Sequence, residues 1–105
     1  MKTLLIGSLA ILLAGCQSRG PLYSGGDGSA IEQAVIITGA IDNTEGVKAE
    51  YAWLRSHYPG YKHTGHRVRR ATGRIYQQLN IVTADGQPQA VFFDITSFHG
   101  RGFNP

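Results

Sequence analysis

Hydrophobic and polar positions fall into two rhythms in the middle of the chain, with quieter stretches on either side. Ala34-Val35-Ile36-Ile37-Thr38 is a short, largely β-branched run closed by Gly39, which suits a buried strand. Asp42 then takes the place of a helix N-cap, with Glu45 three residues on as its reciprocal partner. Val47, Tyr51, Leu54 and Tyr58 follow at i, i+4, i+7 and i+11, one apolar stripe down a helix. Pro59-Gly60 ends it, so the spacing predicts a helix over residues 43–57. Tyr51 and Tyr58 lie on the stripe and are expected to pack. Trp53 falls roughly 100 degrees from Leu54, at the border, where partial burial is expected and an exposed ring would be a protein-contact candidate.

From Arg74 the rhythm becomes alternation. Ile75, Leu79 and Ile81 share one strand face, and Val91, Phe93 and Ile95 share another beyond Ala84-Asp85-Gly86. A two-residue Asp-Gly loop would set Leu79 opposite Phe92 and split the apolar sets between faces. A three-residue loop, with Gly86 in the left-handed region, sets Leu79 opposite Val91 and Ile75 opposite Ile95. Both sets then gather on one side, and a one-residue slip would undo this. The longer loop is therefore expected. Asp94 falls on the other side, toward solvent, with an arginine as its expected partner.

The quieter stretches are read by composition. Gln17 to Ser29 holds four glycines, a proline and three serines, too little apolar surface to offset its ordering entropy. Residues 16–29 are expected to form a flexible tether, with the folded part starting near Ala30. Residues 60–72 read as a polar, basic connection around Gly65 without a clear period. The tail from Ser97 to Pro105 reads as loose, with Phe98 or Phe103 placed to pack back. The order strand, helix, strand, strand predicts an α+β fold: a small single domain over residues 30–105, one helix packed on an antiparallel sheet that contains a C-terminal hairpin.

The start of the chain changes the picture from a fold to an address. Met1-Lys2-Thr3 carries one positive charge, and Leu4 to Ala14 is apolar apart from Gly7 and Ser8. Such a run is too short for a mature bilayer span, which needs roughly 20 residues, and has the marks of a secretory signal peptide, residues 1–15. Leu13-Ala14-Gly15-Cys16 resembles the lipobox of bacterial lipoproteins. The resemblance implies cleavage after Gly15, diacylglycerol on the Cys16 thiol and acylation, with palmitate or a similar chain, of the new amino group. Two or three acyl chains at roughly 0.8 kcal/mol per buried methylene make a lasting anchor. It further implies, through Gln17 where an aspartate would signal retention at the inner membrane, an outer-membrane protein facing the periplasm. An inner membrane or the surface of a single-membrane cell is the alternative. Cys16 is the one cysteine, so the mature chain has no disulfide, thiol nucleophile or cysteine metal site.

Loss of the leader leaves 90 of the 105 residues, nine basic against seven acidic, a charge of about +2. The charge is unevenly spread. Arg55, Lys62, Arg67, Arg69, Arg70 and Arg74 fall in a stretch without one acidic residue. Lys62, Arg67, Arg69, Arg70 and Arg74 are the candidate contacts with an anionic partner: an envelope protein, lipopolysaccharide or peptidoglycan. Nucleic acid is not expected, because a lipid anchor keeps the chain out of the cytoplasm. His57, His63 and His66 are candidate metal ligands, but their cationic neighbours oppose a metal; neither a metal nor a cofactor is expected. No Gly-x-Ser-x-Gly or His-Glu-x-x-His pattern occurs, and the carboxylates are scattered. The expected function is therefore non-enzymatic: a membrane-anchored lipoprotein that binds or organises another envelope component, with a small ligand- or metal-binding module as the alternative.

Overall fold

Asp42 and Glu45 cap the helix nearly as expected. A computed structural model describes residues 20–102, and in it α1 spans Asn43–His57. The Glu45 amide donates to Asp42 Oδ1 at 2.9 Å, while Glu45 Oε1 accepts from the Ile41 amide, one residue before the cap, at 2.8 Å. At the other end the Tyr58 amide donates to the Leu54 carbonyl, and Pro59 and Gly60 turn the chain away. The leader, Cys16, Gln17 and Phe103 lie outside the described residues.

Five strands form one sheet: β1 Leu22–Gly25, β2 Val35–Thr38, β3 Lys62–Ala71, β4 Arg74–Val82 and β5 Pro88–Asp94. Their order is β1-β2-β5-β4-β3, with every pairing antiparallel except β2 with β5. The α+β class and the β-α-β-β order of the central elements stand, within a sheet that is mixed. The β4–β5 hairpin has the expected register: Leu79 faces Val91, and the Ile95 amide donates to the Ile75 carbonyl. Ala84-Asp85-Gly86 makes the three-residue loop, closed by a bond from the Thr83 amide to the Gln87 carbonyl, with Gly86 at φ 90°.

One side of the sheet carries Val35, Ile37, Leu79, Ile81, Val91 and Phe93, all buried beneath α1. The Trp53 ring meets Phe93 edge-on at 5.5 Å. Trp53 is thus a core residue and not a border one. The face that α1 buries consists of Gly46, Ala49, Glu50, Trp53 and Leu54, rotated from the predicted stripe, with Tyr51 and Tyr58 packed at its margin. The rotation has a steric cause. A Cβ on Gly46 would lie 2.2 Å from the Phe98 ring, so glycine lets Phe98 wedge under the first turn of α1.

Three expectations from the quieter stretches need correction. The tether is shorter than residues 16–29, because Leu22–Gly25 is a strand on β2. Tyr23 also donates its hydroxyl to the Ala49 carbonyl at 2.7 Å, the Gly26 amide bonds the Ala34 carbonyl, and the Phe92 amide bonds the Gly28 carbonyl. Paired backbone supplies here what side-chain hydrophobicity does not. The basic connection at 60–72 is largely β3, joined to β4 by Thr72 and Gly73, both at positive φ as a two-residue hairpin loop requires. The tail is docked rather than loose through Arg101: Phe98 is fully buried, Ser97 Oγ bonds the Ile37 carbonyl, and the Arg101 carbonyl accepts from the Asn43 amide.

Candidate functional site

The basic stretch is an edge strand, not a loop. β3 pairs with β4 on one side and with no described strand on the other. Alternation along the strand sorts its side chains. Arg67, opposite Gln78, and Arg69, opposite Tyr76, point to the face that α1 leaves uncovered. Arg70, opposite Ile75, and Val68, opposite Gln77, point to the α1 side with His66 and His63, which oppose Leu79 and Ile81. Lys62 sits beyond an irregularity between His63 and Gly65.

These cations are not equivalent. Arg74 Nε donates to Asp94 Oδ2 at 2.7 Å, the one ion pair among the described residues. Burial pushes the Asp94 carboxyl up, but bonds from the Arg74 guanidinium and from Thr96 outweigh it and hold the group below the usual carboxylate range. The same bond pushes Arg74 up. Asp94 therefore has the arginine partner expected of it but is buried instead of facing solvent. Arg74 is largely removed from the candidate contacts, since a neutralised cation attracts little. Arg69 donates to Gln78 Oε1 at 2.9 Å, and Gln78 in turn donates to Asn80. That chain fixes the Arg69 side chain against the sheet without cancelling its charge. Lys62, Arg67 and Arg70 make no ion pair with a described residue.

The histidines separate. His57 stacks on Trp53 at 3.8 Å with its Nδ1 3.0 Å from the Trp53 carbonyl oxygen, while the rings of His63 and His66 stack on each other at 5.7 Å. Tyr51 meets His63 edge-on. Among the described residues no three His, Cys, Asp or Glu side chains gather as a metal site would require. No family model, curated protein or solved structure matches the chain.

Two features escaped the sequence. A depression of about 420 Å³ opens on the uncovered face beside Arg74, Tyr76 and Asp94, walled by Gly25, Gln33 and Ile36. Its walls come from three separate parts of the chain, the stretch read as tether, the residues around β2 and the far end of the hairpin, so no local motif announces it. Glu50, in contrast, is buried among core side chains, 1% exposed, with neither carboxylate oxygen hydrogen-bonded. Burial pushes its pKa up to about 8, so the group is protonated at neutral pH.

Proposed function

We propose that the protein is a lipid-anchored, non-enzymatic envelope lipoprotein whose basic edge strand β3 binds an anionic partner. The observation that carries this reading is the edge position of β3, which presents Lys62, Arg67 and Arg70 without internal counterions. Screening by salt is the property such a surface must show.

The fold also bears on where the partner sits. With β1 in the sheet, five residues lie between Cys16 and Leu22, so the six steps from one to the other reach roughly 20 Å at full extension. β1 and β3 are the two edges of the sheet, about 19 Å apart at the usual strand spacing. That reach matches the width of the sheet, so a lipid at Cys16 would hold the domain within about one sheet width of the membrane and leave both edges able to approach it. An envelope protein, peptidoglycan and the headgroups of the anchoring leaflet all lie within that range. Among the described residues no helix is long and apolar enough to cross a membrane.

The test is a pull-down of envelope material at increasing salt with the wild-type chain and with Arg67, Arg69 and Arg70 changed together to Ser. Capture lost in the variant, and lost in the wild type as salt rises, is the expected result. Capture unaffected by the triple change would remove β3 from the function.

A further inference from the structure

The direction of the backbone along β3 says how a partner would engage it. The Ile75 carbonyl accepts from the Ile95 amide, and the Ile75 amide donates to Thr96 Oγ1, so both polar groups of Ile75 are turned toward β5. Its neighbour Arg70 on β3 therefore finds no backbone partner at Ile75 and turns its own N–H and C=O outward. Alternation extends this to Val68 and His66. Three successive outward residues thus offer a ready template for one more strand.

We infer that β3 accepts an extended acidic segment of a partner protein as a sixth strand of the sheet. This rests on the proposed role of the basic strand and adds the mode of binding and the sequence pattern of the partner. Val68 lies at the centre of the outward row and is 43% exposed, an isolated apolar side chain between Arg67 and Arg69. A sixth strand would place one residue beside Val68 on the α1 side, and that residue is apolar. Its two neighbours would point to the opposite face beside Arg67 and Arg69, and those residues are acidic. A further acidic residue would meet Arg70. A second copy of this chain does not fit: β3 against β3 sets cation beside cation, and the other edge, β1, carries no acidic residue to meet Arg67 and Arg69. Main-chain bonds supply the affinity and the alternating side chains of β3 supply the selectivity, as in other cases of strand addition.

Val68→Pro separates this mode from attraction by charge. Proline at this position removes an outward N–H and places its ring on the outer side, while every cation of β3 stays in place. The probe is a fluorescent peptide with the core Glu-Glu-Val-Glu-Thr, titrated against the full chain by fluorescence anisotropy. The wild type is expected to bind it, and Val68→Pro to bind about tenfold more weakly or worse, the cost of a lost hydrogen bond and a blocked edge. Two forms of the peptide, N-methylated on alternate nitrogens in the two possible registers, provide a check that does not depend on the variant's folding. One methylated form should bind like the parent and the other should fail.

Equal binding of both methylated forms, or of both proteins, overturns strand addition and leaves the charge-based reading standing. Capture of phosphatidylglycerol vesicles in place of the peptide likewise overturns it, in favour of a lipid surface. Failure of the underlying reading shows itself separately, as envelope capture that the triple Arg→Ser change leaves intact.

Discussion

Arg74 Nε donates to Asp94 Oδ2 at 2.7 Å across the β4–β5 hairpin, joining a half-exposed guanidinium to a buried carboxylate. Thr96 completes the cluster by donating its amide and its hydroxyl to Asp94 Oδ1. The pair closes the end of the hairpin where β5 runs out and the chain turns toward Phe98. It also divides the basic residues into one that serves the fold and several that remain available to a partner.

Asp94→Ala should cost roughly 1.5–3 kcal/mol of stability, the range for hydrogen bonds to a charged group, read as a lowered urea midpoint. Arg74→Ser should leave salt-sensitive capture of the envelope partner unchanged, while Arg67→Ser weakens it. A larger binding loss from Arg74→Ser than from Arg67→Ser would contradict this division.

The two buried carboxyls give opposite pH dependences. Asp94 is held below the ordinary carboxylate range, so its contribution is complete above that range and is lost as pH falls through its lowered value. Glu50 is pushed from 4.5 up to about 8, so the folded chain holds a proton that the unfolded chain releases. Its stabilising effect is complete below the unfolded value and is lost as pH rises toward about 8, at up to ~1.4 kcal/mol per pH unit. Urea unfolding of wild type and Glu50→Gln from pH 5 to pH 9 should show the slope in the first and its flattening in the second. Parallel curves would mean that Glu50 finds a partner or water in solution.

Gly46→Ala would place a methyl where the Phe98 ring stands. Helix propensity favours alanine by about 1 kcal/mol, but overpacking of a filled core costs typically 1–3 kcal/mol. Net destabilisation with a displaced tail is expected. Phe98→Ala should cost about 3–5 kcal/mol, and Gly46→Ala placed on that background should turn neutral or stabilising. Thermal unfolding of the two single variants and the double variant measures this coupling.

What the sequence reveals follows from how local each signal is. Asp42, Glu45 and Pro59-Gly60 act within one turn of chain, so both ends of α1 were legible. The β4–β5 register was legible because each strand buries one face and shows clean alternation. β3 has Val68 as its one large aliphatic residue and both faces largely exposed, so it has no period to detect, and β1 is short and exposed throughout. The buried face of α1 was hidden for another reason. It contains Gly46 and Glu50, whose burial depends on Phe98 and the sheet and not on their own hydrophobicity. The charge run from Arg55 to Arg74 pointed to the candidate contacts, but only the pairing of β3 with β4 assigns them to faces, and only the Asp94 bond sets Arg74 apart.

The proposed address rests on Cys16, and intact-mass analysis of the chain recovered from membranes tests it most directly. The expected product is a polypeptide that begins at Cys16 and carries the added mass of diacylglycerol and an acyl group. A chain that retains Met1 to Gly15, or one that begins at Cys16 with an unmodified thiol, would contradict it and leave the basic strand without its place at the membrane.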